Sequence, residues 1–388
     1  MTTNSSHDDP LFPEKSLKLT DEQRFHWLRL IRCENVGPAT FRDLINHFGS
    51  AEKSVDALPD LSRKGGARKS FHVPSIAETE REWNALHQAG AYLVAMGEPD
   101  YPKFLNHIPG RPPLLTMVGD ASLASKPSVA IVGSRNCSAS GAKLTGMLAS
   151  DLGGQGIVIV SGLARGIDTW AHKAALGTGT VAVLAGGLNH LYPKENIELA
   201  HAIAKQGLLI SETPWDAPAR SRDFPRRNRI ISGVSSGTLV IEAAKKSGSL
   251  ITANYALEQG REVFAVPGSP LDPRASGTNH LIKQGAHLVC EARDILDNLS
   301  EQPRSEPVQT SLLFENTAPA IDMQHWDEEA ENRDRIRFSQ CLGITPVSLD
   351  DLIRQTGLPT GQIQLMLLEL DLAGRLERHT NQSVSLKA

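Results

Sequence analysis

Seven short segments rich in valine, isoleucine and leucine recur along the middle of this chain, and they constrain its fold more than any other feature. A stretch with helical periodicity follows most of them, so strands and helices alternate. Strands that are apolar at nearly every residue are typical of a parallel sheet covered by helices on both faces. The segments that we expect to form strands are 129–132, 157–160, 181–184, 208–210, 238–241, 263–266 and 287–289. The pattern predicts an α/β fold with a doubly wound, mostly parallel sheet.

Smaller units flank the predicted sheet. Before it, two helical patterns are joined by the turn Asn-Val-Gly-Pro, the outline of a helix-hairpin-helix module. Such a hairpin can offer backbone amides to a phosphate, although a purely structural helical domain remains the alternative. After the sheet, a segment rich in proline, serine and acids indicates a flexible linker, and three helical segments with a final hairpin indicate a winged helix. The bounds that we expect are 19–93 for the helical domain, 94–299 for the sheet domain, 300–333 for the acidic linker and 334–388 for the winged helix.

Charge and composition exclude several classes of protein. The net charge is −4, but residues 301–334 hold nine Asp and Glu against two Arg, which leaves +3 elsewhere, so a local basic groove is compatible with the composition. The four cysteines lack the spacing of a metal or redox site, and we expect no metal and no disulfide framework. No secretory signal or membrane-spanning segment is evident, so we expect a cytoplasmic protein without membrane contact.

Polar turns follow the first two strands of the predicted sheet. The first strand runs into Gly133, Ser134 and Arg135, which would offer amides, a hydroxyl and a guanidinium to a phosphate. The second ends in Ser161 and Gly162, at the same edge of the sheet. The first turn lacks the dinucleotide pattern GxGxxG and the chain contains no GxxxxGK[ST], so we expect no nucleotide cofactor. The turns favour an anion site at this edge.

An arginine-rich segment supplies the strongest positive charge. Residues 216–232 hold five Arg against two Asp, a local charge of +3. Arg226 and Arg229 are three residues apart and can share a helical face, whereas Arg227 points elsewhere and is a candidate to anchor the fold. Arginine suits phosphate contacts and stacking on bases. The alternative is a cluster of ion pairs with Glu212 or Glu242.

Six ordered segments of the chain resemble the DprA (Smf) family of DNA-processing proteins of natural transformation. They are GSR at 133–135, SGLARGID at 161–168, YPKEN at 192–196, FPRRNRIISG at 224–233, SGSLITA at 247–253 and VPG at 266–268. The resemblance implies a Rossmann-like core, an N-terminal helical domain of the SAM or helix-hairpin-helix type, and a C-terminal winged helix.

The resemblance also implies what the chain does. Members of the family bind single-stranded DNA without catalysis, protect it, load RecA recombinase onto it, and form homodimers through the Rossmann-like domain. Some place an aromatic residue after the Arg-Asn pair to stack on a base; here Arg229 stands at that position, so we expect Arg229 itself or Phe224 to substitute. The residues implied to contact DNA are Gly133, Ser134, Arg135, Ser161, Gly162, Lys194, Arg226, Arg227, Asn228 and Arg229.

Two other functions remain open at this stage. A nucleotide phosphoribohydrolase would use a Gly-Thr pair followed by a glutamate, here Glu242, but the fuller PGGxGTxxE pattern is absent. We favour a structural role for Glu242, and likewise for Asp168 and His172, which lie four residues apart. A regulator that binds duplex DNA would rest on the winged helix alone. Its third helix carries Glu369 and Asp371 but no Lys or Arg, which predicts a poor reader of DNA and favours an interaction module.

Overall fold

The computed structural model describes residues 18–67, 71–299, 328–379 and 383–387, so most of the predicted acidic linker lies outside the described residues. The N-terminal domain comprises four described helices. They are α1 (Asp21–Ile31), α2 (Pro38–Phe48), α3 (Ala51–Lys64) and α4 (Ile76–Gln88). Gly37 caps α2 and a proline occupies its first position, where the missing N–H has no cost. The predicted helix-hairpin-helix outline is confirmed, with two further helices packed beside it.

The described strands of the middle domain form one nine-stranded sheet in the order β1-β2-β6-β5-β4-β3-β7-β8-β9. Each of the seven predicted segments begins and ends within one residue of an observed strand, and these seven are all parallel. Two antiparallel strands, β1 and β2, extend the sheet beyond β6 and were not predicted. The strands are β1 (Tyr92–Ala95), β2 (Leu114–Gly119), β3 (Ser128–Val132), β4 (Val158–Ser161), β5 (Thr180–Val183), β6 (Leu208–Ser211), β7 (Gly237–Val240), β8 (Glu262–Ala265) and β9 (His287–Leu288).

Helices cover both faces of this sheet. Val129 and Ile131 of β3 point into an apolar cluster with α5, α6 and α11, whereas Ala130 and Val132 point into the cluster with α8, α9 and α10. This alternation is the reason why the strand is apolar at four successive residues, 129–132. The helices are α5 (Ala139–Gly154), α6 (Ile167–Ala175), α7 (Ile197–Gln206), α8 (Asp223–Val234), α9 (Gly248–Glu258), α10 (Ser276–Lys283) and α11 (Ala292–Leu296). The predicted doubly wound α/β fold is confirmed.

The strand order reverses at β3, which lies between β4 and β7. Chain connections leave β3 toward β4, β5 and β6 on one side, and return to β7, β8 and β9 on the other. In open α/β sheets, ligands bind outside the carboxyl ends of the strands at such a reversal. The carboxyl edge around β3 is therefore the place where a binding site is expected on topology alone.

The C-terminal domain is a winged helix, as predicted. Its described elements are α12 (Glu328–Cys341), β10 (Val347–Ser348), α13 (Leu349–Thr356), α14 (Thr360–Leu372), β11 (Leu376–Arg378) and β12 (Ser383–Leu386). The three strands form a small sheet in the order β10-β12-β11. The third helix is α14, and α12 begins at Glu328, within the segment predicted to be linker. Within the described ranges no helix has the length and apolarity needed to cross a bilayer.

The third helix of the winged helix packs against α2 and α3 of the N-terminal domain. Leu368 and Leu372 are buried in the same apolar cluster as the N-terminal helices. The side-chain amide of Asn35 donates a hydrogen bond to the carbonyl oxygen of Leu372 (2.9 Å), and the Thr40 hydroxyl donates to the carboxylate of Asp371 (2.9 Å). The two terminal domains thus contact each other through buried leucines and specific polar pairs.

Candidate nucleic-acid interface

The carboxyl edge of the sheet brings together most of the segments that sequence analysis singled out. The loops after β3, β4 and β5 and the start of α8 meet there because these strands are parallel neighbours. Direct hydrogen bonds join the loops: the Ile167 amide donates to the Ser134 carbonyl (3.2 Å), and the side chain of Asn196 donates to the Leu163 carbonyl (2.9 Å). Three segments far apart in sequence therefore form one continuous surface.

The turn after β3 places one cation on this surface. Arg135 is exposed, and its guanidinium lies over the ring of Phe224 at 5.4 Å from the ring centre. Gly133 has no room for a side chain, because a Cβ there would lie 2.6 Å from Ile167. The Ser134 hydroxyl accepts a hydrogen bond from the Asn136 amide (3.2 Å). Gly133 and Ser134 thus shape the turn that presents Arg135.

Glu242 occupies the start of α5, where the sequence predicted a phosphate. Its carboxylate accepts hydrogen bonds from the backbone amide of Ser138 (2.9 Å) and from the Ser138 hydroxyl. A carboxylate stabilises a helix N-terminus through the free amides and the helix dipole. Glu242 is therefore an internal partner of a helix, not of an arginine as was considered, and this anion position is filled by the protein itself.

Ser161 and Gly162 lie below the surface. The Ser161 hydroxyl is fully buried and donates to the Ile131 carbonyl (2.6 Å). The Gly162 amide donates to the carboxylate of Asp168 (3.1 Å), and a Cβ at this glycine would lie 2.6 Å from the guanidinium of Arg227. The expectation that these two residues contact DNA is corrected: they hold the end of β4 in place, and their side-chain positions are enclosed.

Arg227 is buried and anchors the same loop. It is 5% exposed, and one nitrogen of its guanidinium donates to the carbonyl oxygens of Gly162 (2.7 Å) and Val183. Burial lowers its pKa to about 10, against the opposing effect of Asp168 nearby. The structure therefore removes Arg227 from the residues available to a surface ligand and confirms the alternative that one arginine of this segment anchors the fold.

The two neighbouring arginines share one carboxylate. Arg226 and Arg229 both form ion pairs with Glu212, with an N–O distance of 3.1 Å for Arg226. The side chain of Arg226 remains 54% exposed, whereas that of Arg229 is only 12% exposed. Asn228 donates to the Gly248 carbonyl (3.3 Å) and so ties α8 to α9. Of Arg226, Arg227 and Arg229, Arg226 presents its cation to solvent. Arg229 is too enclosed to stack on a base, as had been expected of it.

The Asp168 and His172 pair is structural. The Asp168 carboxylate accepts from the amides of Gly162 and Ala164, and the ring of His172 contacts the Thr180 hydroxyl (2.7 Å). Burial, reinforced by Arg227, lowers the pKa of His172 to about 3. A fully enclosed imidazole that stays neutral near neutrality cannot exchange protons with a surface ligand, in agreement with the structural role favoured from the sequence.

Tyr192 and Lys194 complete the exposed surface on the loop after β5. Both are exposed, and the Tyr192 ring meets the ring of Phe224 edge to face, with 5.8 Å between ring centres. Beside Tyr192 lies a pocket of about 460 Å³. Sequence analysis missed Tyr192, although it lies two residues from the predicted Lys194; an aromatic next to a cation in a strand-end loop was the available signal. No grouping of His, Cys, Asp and Glu in the described part of the chain has the arrangement of a metal site.

Comparisons with known proteins agree with this architecture. The family described as DNA recombination-mediator protein A matches residues 92–300. The DprA-like N-terminal HHH domain matches residues 21–85, and the DprA winged helix domain matches residues 327–382.

Individual relatives cover nearly the whole chain. Protein Smf of Escherichia coli is 38% identical over 362 residues, which are 90% of this chain and 92% of that protein. The crystal structure of DNA processing protein A (DprA) from Streptococcus pneumoniae is 35% identical, covers 74% of this chain and 100% of its own, and superposes with a TM-score of 0.58. DprA from Helicobacter pylori, whose structure concerns its mode of binding single-stranded DNA, is 30% identical over 54% of this chain and 95% of its own, with a TM-score of 0.50. The chain therefore belongs to the DprA (Smf) family of DNA recombination-mediator proteins.

Proposed function

We propose that this protein binds single-stranded DNA along the carboxyl edge of its sheet, without reading the sequence and without catalysis. The observation that carries the proposal is a set of exposed cations at this edge, namely Arg135 and Lys194 after strands β3 and β5, and Arg226 near the start of α8. Such a set suits the phosphates of a strand, and an exposed aromatic beside it suits bases of any identity. The relative from H. pylori, which binds single-stranded DNA, supports the same assignment.

The exposed cations determine how strongly salt weakens binding. For single strands, the logarithm of the binding constant falls with the logarithm of the salt concentration with a slope of about −0.7 for each neutralised phosphate. Three contacts from Arg135, Lys194 and Arg226 give a slope of about −2. Arg227 would not add to it, because it is buried.

A salt titration tests the proposal. Fluorescence anisotropy would follow binding of a labelled oligo(dT) strand by the wild type, Arg135→Ala, Arg226→Ala and the control Arg81→Ala. Arg81 is an exposed arginine of α4, outside the sheet domain. We expect weaker binding and a slope shallower by about 0.7 for the first two variants, and no change for the control. Absence of binding by the wild type, or equal effects of all three substitutions, would contradict the proposal.

We further propose that the protein protects incoming single strands during natural transformation, loads RecA recombinase onto them, and acts as a homodimer through the sheet domain. Family membership supports these steps. Large exposed leucines near the β9 end of the sheet support the dimer: Leu271 is 92% exposed, and Leu257 and Leu288 are also exposed. Light scattering coupled to size exclusion would give the oligomeric state, and the DNA-dependent ATPase of RecA, measured with and without this protein on coated strands, would report loading.

The absence of catalysis has its own test. Glu242, the carboxylate that a phosphoribohydrolase would need, is engaged by Ser138 at the start of α5. We expect no release of free base when the protein is incubated with nucleoside monophosphates. Base release that disappears in Glu242→Gln would make the protein an enzyme.

A further inference from the structure

Tyr192 exposes an aromatic ring at the edge where we place the DNA. The residue is 52% exposed, although burial of a large aromatic ring usually stabilises the folded protein. About half of this side chain therefore remains available to a ligand. An exposed aromatic beside cations is the arrangement on which bases of single strands stack.

The ring of Tyr192 is held in a fixed relation to a phosphate-binding group. Phe224 packs its ring against Tyr192 at 5.8 Å between centres and 67° between planes, and the Arg135 guanidinium lies over Phe224 at 5.4 Å from its centre. These two distances bound the separation between the Arg135 guanidinium and the Tyr192 ring at about 11 Å. Phe224, which is half buried, thus contacts both the exposed Arg135 guanidinium and the exposed ring of Tyr192. Phe224 itself is the support and Tyr192 is the presented surface.

The residues that follow Tyr192 anchor its loop. Pro193 and Asn196 are buried, and the Asn196 amide donates to the carbonyl oxygens of Leu163 (2.9 Å) and Ala164 (3.1 Å). Lys194, between them, points a cation to solvent. A ring that is already fixed loses little conformational entropy on binding. Less of the free energy gained by stacking is therefore lost in ordering the side chain.

The pocket next to Tyr192 has room for a base. Its volume is about 460 Å³, and Asn189, His190, Tyr192, His201 and Pro218 are among its lining residues. The side-chain amide nitrogen of Asn189 donates to the carboxylate of Asp216 (2.6 Å), and the side-chain oxygen of Asn189 can still accept a hydrogen bond from a donor of the ligand. Imidazole and amide groups can bond the edges of any base, and the ring of Tyr192 can cover its face.

We propose that Tyr192 is the stacking platform for one unstacked base of a bound single strand, and that the adjoining pocket receives that base. This inference rests on the proposed binding of single-stranded DNA. The strand's phosphates contact Arg135 and Lys194 on either side of the platform. Stacking is expected to account for an affinity change of about 5- to 150-fold, the range measured for a single base on an aromatic side chain.

Two substitutions separate stacking from charge. Tyr192→Leu keeps an apolar side chain without an aromatic face, whereas Tyr192→Phe keeps the ring. We expect Tyr192→Leu to bind oligo(dT) about 5- to 150-fold more weakly with an unchanged salt slope, and Tyr192→Phe to bind like the wild type. A shallower slope in Tyr192→Leu would mean that Arg135 had moved, and would contradict stacking as the cause.

The second measurement uses a strand without bases. On an abasic oligonucleotide of equal length, wild type and Tyr192→Leu should bind equally, because only phosphates remain. A loss as large on the abasic strand as on oligo(dT), or wild-type affinity of Tyr192→Leu for oligo(dT), would overturn the inference while leaving the DNA groove in place. If the wild type binds neither strand, the proposed function fails and the inference fails with it.

Discussion

Arg226 and Arg227 are adjacent in sequence but differ in every physical respect, and they make a matched pair of substitutions to methionine. Arg227 is enclosed beneath the carboxyl edge, where it donates to the carbonyls of Gly162 and Val183. Arg226 is half exposed and pairs with Glu212 at the surface. Methionine keeps much of the apolar stem of arginine and removes only the guanidinium, so each variant reports the role of the charge.

The structure sets the size of the two effects on stability. Loss of the Arg227 guanidinium leaves two enclosed carbonyl oxygens without a donor, and each such loss costs about 1–3 kcal/mol. It also removes the cation that offsets the buried carboxylate of Asp168, whose pKa burial already raises. We therefore expect Arg227→Met to lower the free energy of unfolding by about 2–6 kcal/mol. Arg226→Met should change it by less than about 1 kcal/mol, because an exposed ion pair contributes little.

Urea unfolding followed by circular dichroism, and oligo(dT) binding at several salt concentrations, would be measured on both variants. Arg227→Met should shift the unfolding midpoint strongly and, where still folded, retain the salt slope of the wild type. Arg226→Met should retain the midpoint and lose about 0.7 from the magnitude of the slope. The reverse pattern, a stable Arg227→Met with a shallower slope, would refute the assignment of Arg227 to the interior and return it to the DNA surface.

Three further predictions test other parts of the structure. The pKa of His172 is about 3 in the folded protein, below its value in the unfolded chain, so its contribution to the free energy of unfolding should be complete above pH 6.5. That free energy should fall by up to about 1.4 kcal/mol per pH unit as the pH drops toward 3. Urea midpoints at pH 7 and pH 5 should show the loss, and His172→Gln should make the loss smaller. Gly65→Ala would place a Cβ 2.0 Å from the Glu369 carbonyl oxygen and should separate the winged helix from the N-terminal domain. Faster exchange of the backbone amides of α14 would show this separation. In the control Gly37→Ala the new Cβ meets no atom within 4 Å, so amide exchange in α14 should not change. Glu242→Ala removes the carboxylate from the start of α5 and should lower the free energy of unfolding by about 1 kcal/mol in the same urea assay; an unchanged midpoint would contradict its capping role.

The seven parallel strands were predictable because their pattern is local. Most of them are buried on both faces and therefore appear as apolar runs that need no knowledge of their neighbours, although β9 at the sheet edge is partly exposed. The two antiparallel strands were not recognised: Tyr92–Ala95 pairs with Leu114–Gly119, which in turn pairs with β6, and only the sheet edge that β6 offers shows where they belong. The boundary predicted after residue 93 consequently falls inside β1.

The candidate site stays a prediction, but the sequence indicated correctly that the named turns lie together. They do so because parallel strands bring their carboxyl ends to one edge. It did not distinguish exposed from enclosed groups: Ser161 and Gly162 are enclosed, and Arg229 is paired with Glu212. These outcomes depend on which segment covers which side chain, and that is decided by packing between segments that a local pattern does not link, such as the contact of Arg227 with Gly162, 65 residues away. Tyr192 was overlooked although its neighbour Lys194 was named, and its contact with Phe224 on another segment is not visible in the local pattern.

The acidic third helix of the winged helix finds its explanation in what it contacts. Asp371 accepts hydrogen bonds from Thr40 and Arg378, Arg378 also pairs with Asp43 (2.9 Å), and Glu369 pairs with Arg335. The hairpin between α1 and α2, which sequence analysis considered for phosphate binding, is engaged by the same helix through Asn35. A helix that packs Asp371, Leu368 and Leu372 against another domain of its own chain cannot enter a DNA groove in this arrangement. Both elements that resemble duplex-binding motifs thus contact each other, and the proposal for single-stranded DNA rests on the cations that remain exposed at the sheet edge.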